Sequence, residues 1–347
     1  MRLRVVLVLW LGLFLLTFVA GCSRRVTDLE QVSPEEKIVI KFSHVTAENT
    51  PKGLAAKRFA ELVKERTGGR VEVQVFPNST LYKDGEELQA LQAGAVQMIA
   101  PATAKLSGQF PAWQVFDLPF AFPDEEAVHR AMEGYIGKRL LTLLEENKVK
   151  GLAFWDNGFK QMTSNGRSLR KPEDFQGLSF RVMINSQVLK KQFERLGARP
   201  EEVPFNDLYS ALEAGAVQGQ ENTISNICSK NLQKVQTHLT ISNHGYLGYM
   251  VLTSSNFWAG LPEDIRMVLE GTLAEVTLYE RELAAQMDRE GLDLITASGA
   301  VEVHFLTSEE KREWMTAWRP LYPEFKNIIG EDILNALEEV RGDRVAR

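Results

Sequence analysis

Residues 91–97 read LQAGAVQ, and residues 212–218, which lie 121 positions further along the chain, read LEAGAVQ. In both copies leucine and alanine suit one face of a helix, glycine suits a left-handed residue that ends the helix, and Ala-Val starts an apolar strand. The repeat predicts that the chain uses one helix–glycine–strand unit twice, once in each of two lobes. The alternative is coincidence, because L-x-x-G is a common helix exit.

The segments around the first copy alternate between strand and helix patterns. Apolar residues follow strand, helix, strand, helix and strand spacing, in that order, over 38–45, 51–69, 70–76, 85–94 and 95–102. This βαβαβ order predicts a mainly parallel sheet with helices on both faces.

Further strand patterns surround the second copy, at 149–165, at 177–185 and after residue 245. Pro262 and the acids that follow it then open a long helical pattern, which is predicted to continue to about Arg289. Such a helix exceeds the average globular length and is long enough to span two lobes. The segment AVEVHFL at 300–306 and two amphipathic helices complete the chain.

The N-terminus has the pattern of an export signal. Arg2 and Arg4 precede an apolar run over 5–21 that ends in Val-Ala-Gly before Cys22. This ending is typical of a lipobox, so residues 1–21 are predicted to be a lipoprotein signal peptide, Cys22 to be lipidated and 22–36 to be a polar tether. The alternative is an uncleaved membrane anchor, and either interpretation places the rest of the chain outside the cytoplasm.

Composition narrows the class of protein. The sequence holds 40 basic and 46 acidic residues, and loss of a signal containing two arginines leaves 38 and 46, a net charge of −8. This balance argues against nucleic acid as a partner. Only Cys228 remains beside Cys22, so no intramolecular disulfide is expected if Cys22 is lipidated. The remaining chain is larger than one core usually holds, which favours two lobes, and no metal or cofactor motif is present.

The two repeat strands lead to the segments PATAK at 101–105 and GQEN at 219–222. Ligands of open α/β sheets bind outside the carboxyl ends of strands, so two such ends that face each other would form a cleft. Arg181, inside the strand pattern LSFRVMI, is the strongest candidate for a ligand contact, since a half-buried arginine needs an anionic partner. The alternatives are that it points to solvent or pairs with a structural acid.

Four further residues stand near strand ends. Lys160 and Lys105 could contact an anion or be ordinary surface lysines, Asn222 could hydrogen-bond a ligand, and His44 could be a ligand contact or a core histidine. Glu221 could act as a base, but nothing in the sequence partners it. No nucleophile elbow, Walker loop, dinucleotide fingerprint or zinc-protease motif occurs, so an enzyme is not predicted.

Several motifs, taken in order and spacing, resemble one family. They are IKFSHVTAENTPKG (40–53), VEVQVFPNSTLY (71–82), VFDLPFAF (115–122), NGFKQMTSN (157–165), GLSFRVM (177–183), FNDLYSALEAGAVQGQEN (205–222) and LPEDIRMVL (261–269). Over nearly all of 37–340 the chain resembles the TRAP-transporter solute-binding proteins of the C4-dicarboxylate, or DctP, type.

The resemblance implies an α/β, two-lobed fold of the periplasmic-binding-protein type II kind, with a hinge and a long helix spanning both lobes. The lobes are expected over 37–157 with 248–288, and over 158–247 with 289–347. It implies that Arg181 pairs with a substrate carboxylate and that Lys160, Asn222, Lys105 and His44 line the pocket. The family usually has proline after the asparagine, where this chain has Thr223, so the exact acid stays open.

The implied function is capture of a small organic acid, a C4-dicarboxylate such as succinate, fumarate or malate, and its delivery to TRAP membrane permease subunits. The protein would work without a cofactor, exported and lipid-anchored to the outer face of the cell membrane or in the periplasm. The alternatives are a binding protein for sialic acid, a uronate or a 2-oxo acid, a ligand-sensing module, and an enzyme acting on an organic acid.

Overall fold

The computed structural model describes residues 37–342. The predicted signal peptide, the tether, Cys22 and residues 343–347 of the predicted second lobe lie outside these described residues. Within 37–342 no helix is both long enough and apolar enough to cross a membrane.

One mixed sheet organises the described part of the chain. Its strands are β1 (Ile38–Ser43), β2 (Val71–Phe76), β3 (Met98–Ile99), β4 (Val149–Ser164), β5 (Ser179–Val182), β6 (Arg199–Glu202), β7 (Gly219–Asn222), β8 (His238–Ser254) and β9 (Glu302–Phe305). Their order across the sheet is β2-β1-β3-β8-β4-β7-β5-β6, with β9 paired to β8.

Helices cover the sheet. They are α1 (Pro51–Arg66), α2 (Glu87–Gln92), α3 (Thr103–Leu106), α4 (Glu125–Glu133), α5 (Tyr135–Glu145), α6 (Gln187–Arg195), α7 (Leu208–Glu213), α8 (Ile224–Ser229), α9 (Ser255–Gly260), α10 (Glu263–Ser298), α11 (Ser308–Trp318), α12 (Leu321–Glu324), α13 (Lys326–Ile329) and α14 (Glu331–Arg341). Short 3-10 turns occupy Pro111–Asp117, Pro172–Phe175, Phe205–Asp207 and Leu232–Lys234.

Two groups of three strands have the same topology. In the first group β1 lies between β2 and β3, and in the second β5 lies between β6 and β7, with all four pairings parallel. We call the parts of the chain built around these groups lobe I and lobe II. The predicted parallel order holds inside each lobe.

The long strands β4 and β8 join the two lobes, and around them the pairing is antiparallel rather than parallel. They pair antiparallel to each other, β8 pairs antiparallel to β3 and β4 to β7. The pairing of β4 with β8 shifts register at three places, one of them between Asp156 and Gly158. Such bulges bend a strand, which suits segments that pass between lobes.

The repeated sequence forms the same structure in both lobes. Gly94 and Gly215 have φ angles of 76° and 70°, which end α2 and α7 in the left-handed conformation. The side chain of Gln97 then accepts a hydrogen bond of 3.0 Å from the backbone N–H of Lys41, as Gln218 does from Ser179. The helix–glycine–strand unit is therefore used twice, once beside the central strand of each lobe.

Helix α10 runs along both lobes. Near its start Thr272 accepts a hydrogen bond from Arg66 of lobe I, at its middle Thr277 accepts one from Trp155 of β4, and towards its end Asp288 accepts one from the backbone of Ser225 in lobe II. The helix ends at Ser298, beyond the predicted end near Arg289. The helical pattern is interrupted there by Gly291, and the neighbouring residues Leu294 and Ile295 are exposed and buried respectively, so the apolar residues mark no single face.

Candidate ligand-binding site

The carboxyl ends of the parallel strands in the two lobes meet across a closed cleft. The carboxylate of Asp84 in lobe I accepts a hydrogen bond of 2.8 Å from the backbone N–H of Phe205 in lobe II. The Ser79 hydroxyl donates to Asn206 at 2.8 Å on the same boundary. Because ligands of such sheets bind outside the carboxyl ends of strands, the cleft between these ends is the candidate site.

Arg181 lies in β5 at this cleft. Its side chain is 1% exposed, and its Nε donates a 2.9 Å hydrogen bond to the carbonyl of Val203, which follows β6. Among residues 37–342 the terminal guanidinium nitrogens make no hydrogen bond or ion pair. Burial lowers the pKa of Arg181 to about 10, against the nearby charge of Glu221, so the guanidinium stays charged at neutral pH. It is a buried fork that no acidic side chain of residues 37–342 contacts.

Lys160 is bound to an acid already. Its Nζ donates a 2.6 Å hydrogen bond to Glu221 Oε1, and His244 Nε2 lies 2.7 Å from the other carboxylate oxygen. Burial acts to raise the pKa of Glu221, but the Lys160 charge and the His244 bond outweigh it and hold that pKa at about 2. Glu221 is therefore an ion-pair partner and is poorly suited to be a base.

Lys105 is likewise in contact with an acid. Its ammonium bonds to Oδ1 of Asp84, and its backbone carbonyl accepts a 3.3 Å hydrogen bond from Asn185 of lobe II. Burial lowers the pKa of Lys105, and the charges of Arg181 and Lys52 lower it further, whereas the touching Asp84 carboxylate favours the charged form. The ammonium thus lies within electrostatic range of cations from both lobes.

Asn222 ends β7 and belongs to a network of amides. Its side-chain oxygen accepts 2.8 Å and 3.2 Å hydrogen bonds from the Asn226 amide and the backbone N–H of Thr223. Asn226 in turn lies 3.4 Å from the hydroxyl of Tyr249. Thr223, which stands where the family usually has proline, caps α8 and donates a 2.6 Å hydrogen bond to Asn157. The substitution therefore adds a polar link between lobe II and β4.

His44 follows β1 and is buried. Its Nδ1 lies 3.3 Å from the Thr46 hydroxyl, and its Nε2 has no partner within the described residues. Burial, and next the charge of Lys52, lower the pKa of His44 to about 3, so the ring is neutral. An unpartnered ring nitrogen at a strand's carboxyl end is available to a ligand.

The sequence interpretation missed Lys52, which belongs to the same site. Its Nζ is buried, donates a 2.9 Å hydrogen bond to the carbonyl of Ala100 just after β3, and lies 3.6 Å from the centre of the Tyr249 ring. A signal was present, because Lys52, Ala56, Phe59 and Val63 follow helical spacing along the buried face of α1.

The structure brings the five predicted residues and Lys52 together around one cleft. Two of the predicted cations, Lys160 and Lys105, carry acidic partners, whereas Arg181 carries none among residues 37–342. Within the same residues no group of three acidic, histidine or cysteine side chains is placed to hold a metal ion. The chemistry that this arrangement supports is recognition of an anion.

Comparison with known proteins agrees with this geometry. Residues 42–327 match the DctP family, described as bacterial extracellular solute-binding protein, family 7. The chain belongs to this family. Its members are solute-binding proteins, and the resemblance found in the sequence motifs is confirmed.

Individual relatives match over nearly their whole length. The C4-dicarboxylate-binding protein DctB of Bacillus subtilis is 46% identical over 323 residues, covering 93% of this chain and 92% of DctB. A TRAP periplasmic solute-binding protein of Sulfurospirillum deleyianum, solved with bound succinate, is 43% identical with a TM-score of 0.84, covering 87% of this chain and 98% of that one. A TRAP solute-binding protein of Pseudomonas aeruginosa, solved with L-malate, is 41% identical with a TM-score of 0.79, covering 82% of this chain and 99% of that one. These matches confirm the predicted two-lobed α/β fold.

Proposed function

We propose that this DctP-family protein binds a C4-dicarboxylate such as succinate, fumarate or malate, and delivers it to TRAP membrane permease subunits. Arg181 carries the proposal, because it presents a buried fork, free of acidic partners in the described chain, to a cleft that both lobes line. The guanidinium fork fits a carboxylate bidentately. Relatives above 40% identity that are named for, or solved with, C4-dicarboxylates support the same ligand class.

In this proposal the remaining predicted residues complete the pocket. Asn222 and His44 offer an amide network and a ring nitrogen to the ligand. Lys160 and Lys105 add positive potential, which the paired acids Glu221 and Asp84 reduce. Closure excludes water and thereby strengthens each of these contacts. The ligand leaves chemically unchanged, since binding and release alone account for the site.

The test is titration calorimetry of the mature protein against a panel of acids. We expect dissociation constants for one or more of succinate, fumarate and malate that are at least about tenfold below those for sialic acid, uronates and 2-oxo acids. A preference for one of the latter would replace the proposed ligand, and turnover of any acid during incubation would replace the proposed binding role with an enzyme.

We further propose that the exported protein is held at the membrane by lipid on Cys22. The lipobox-like Val-Ala-Gly before this cysteine supports the proposal. Cys22→Ala should remain unprocessed or be released from the membrane fraction, whereas Cys228→Ala, the matched control, should fractionate like the unaltered protein. Normal processing and attachment of Cys22→Ala would contradict the lipid anchor.

A further inference from the structure

Lys52 is a buried amine that forms no ion pair with any of residues 37–342. Its side chain is 0% exposed, and its neutral contacts are the Ala100 carbonyl at 2.9 Å and the face of the Tyr249 ring at 3.6 Å. Among residues 37–342 no acidic side chain forms an ion pair with it. A carbonyl and a ring face compensate a buried ammonium only in part, so its charged form is favoured only when an anion lies beside it.

The ionisable groups around Lys52 leave this charge uncompensated. Glu87 of α2 and Glu280 of α10 are the nearest acids that influence it, and burial raises the pKa of Glu87 to about 8 and that of Glu280 well above its usual value. Glu87 is therefore mainly protonated near pH 7, and burial favours the protonated form of Glu280 as well. The other neighbours are cationic or neutral: Lys105 on α3, His44 after β1 and Tyr249 on β8.

Lys52 and Arg181 approach the cleft from different lobes. Lys52 bonds to the residue after Ile99, at the carboxyl end of β3, while Arg181 lies in β5 of lobe II. The charges of both lower the pKa of Lys105, so both cations lie within electrostatic range of it. The Tyr249 ring beneath Lys52 connects through Asn226 to Asn222, so the ammonium belongs to the same pocket.

We propose that Lys52 binds the second carboxylate of the ligand and so selects dicarboxylates over monocarboxylates. The inference rests on the proposed function, in which Arg181 holds the first carboxylate. Arg181 and Lys52 are the two cleft cations without an acidic partner in the described chain, and they match the two charges of a C4-dicarboxylate. His44, with its free Nε2 and its electrostatic coupling to Lys52, stands beside the same carboxylate.

Selection follows from charge pairing across the cleft. Each carboxylate of a dianion pairs with a cation of a different lobe, and both pairs form only when the lobes are closed. A ligand with one carboxylate would leave Lys52 enclosed without a counter-charge or would make it release its proton, and in either case the ligand would lack the charge pair that a dianion gains.

The test compares succinate with succinamate, its monoamide, which has nearly the same shape and one carboxylate fewer. In the unaltered protein we expect succinate to bind at least about 30-fold more tightly, the loss typical of one buried charge pair. Lys52→Met should weaken the binding of succinate by a similar factor, while the affinity for succinamate should change by less than about threefold. Lys57 is an exposed lysine on the same helix, and Lys57→Met should change the affinity for neither ligand. Arg181→Met should weaken the binding of both ligands.

A proton measurement on the unaltered protein gives an independent readout if Lys52→Met folds poorly. Burial lowers the pKa of Lys52 to about 7 in the free protein, and a bound carboxylate should raise it. Calorimetry at about pH 8 in buffers of different ionisation enthalpy should therefore detect proton uptake with succinate and much less with succinamate. Succinate affinity should fall as pH rises above about 7.

The outcomes separate the two proposals. If the unaltered protein binds no C4-dicarboxylate, the proposed function fails and this inference fails with it. If succinate binds well, but Lys52→Met leaves the succinate-to-succinamate ratio unchanged, or weakens both equally, Lys52 has only a structural role. Proton uptake of the same size in Lys52→Met would come from other groups, such as Glu87 or Lys105, and would also overturn the inference.

Discussion

The carboxylate of Asp84 bonds to the backbone N–H of Phe205 and to the ammonium of Lys105, so one buried side chain joins lobe I to lobe II and holds a cation of the cleft. Phe205 is 121 residues away in sequence. The two bonds connect closure to the electrostatics of the ligand pocket, because opening the lobes breaks the first bond and exposes the pair that makes the second.

Replacing Asp84 should therefore favour the open lobes. Asp84→Ala removes both bonds; it also frees the charge of Lys105, but we expect the loss of the cross-lobe bond to dominate and to weaken succinate binding by roughly 10- to 100-fold, the value expected for a lost charged hydrogen bond. Small-angle scattering should show a larger radius of gyration for this variant, and a smaller one for the unaltered protein once ligand is added.

Two matched variants control that experiment. Asp84→Asn keeps an oxygen for the Phe205 N–H. Its succinate affinity and radius of gyration should therefore lie between those of the unaltered protein and of Asp84→Ala. Ser79→Ala removes a cross-lobe hydrogen bond between neutral groups and should cost less than about tenfold in affinity. If Asp84→Ala binds and scatters like the unaltered protein, this contact does not control closure.

Arg181 should matter for affinity more than for folding. Arg181→Ala should lose about 2–5 kcal/mol of binding free energy for succinate, since it removes the fork that meets a carboxylate in a closed cleft. Arg181→Lys keeps the charge without the fork and should lose less. Arg199→Ala, on the exposed neighbouring strand β6, is the control. Unchanged calorimetric affinity in Arg181→Ala would make the residue structural.

Asp288 should make the protein less stable as pH rises. Its carboxylate accepts a 2.7 Å hydrogen bond from the backbone N–H of Ser225, but burial raises its pKa from 3.8 to about 7. A raised acid pKa means that the folded state binds more protons, so stability falls between about pH 4 and 7 and the loss is complete above about 7.

Asp288→Asn should remove that pH dependence while keeping an oxygen for Ser225. We expect the variant to match the unaltered protein near pH 4 and to exceed it in free energy of unfolding by about 2–4 kcal/mol near pH 8. Contributions of Glu87 and Asp117, whose pKa values burial also raises, cancel in the comparison. Denaturant unfolding at both pH values measures the difference, and equal stability at both would refute the assignment.

The glycines of the repeated unit should resist substitution for backbone reasons alone. Gly94 and Gly215 have positive φ angles, and an added Cβ would meet nothing within 4 Å at either position. Changing each to alanine should cost about 1–2 kcal/mol of unfolding free energy.

Gly271 in helix α10 is the matched control for these glycines. It also has open space around an added Cβ but no positive φ, so Gly271→Ala should stabilise the protein by about 1 kcal/mol. Thermal unfolding of the three variants shows whether each substitution stabilises or destabilises the protein, and a destabilised Gly271→Ala would contradict the argument.

The local interactions of the chain explain why its fold could be predicted. The repeat predicted two equivalent units because the left-handed glycine, the helix before it and the strand after it depend on neighbouring residues. The antiparallel pairing of β4 and β8 could not be predicted in the same way, since it joins residues about 100 positions apart, such as Val149 and Ser254. The end of α10 was missed because Gly291 and the exposed Leu294 interrupt the helical spacing of the apolar residues there.

By itself the sequence determined the two α/β units, the long helix and which polar residues stand at strand ends, because helix and strand periodicity and backbone conformation are short-range properties. Only the tertiary structure decided which cation meets which acid. Lys160 and Glu221 are 61 residues apart and Lys105 and Asp84 are 21 apart, yet folding pairs them and leaves Arg181 and Lys52 without acids in the described chain. Charge compensation depends on distance in space and on the exclusion of water, and both arise only when the lobes come together.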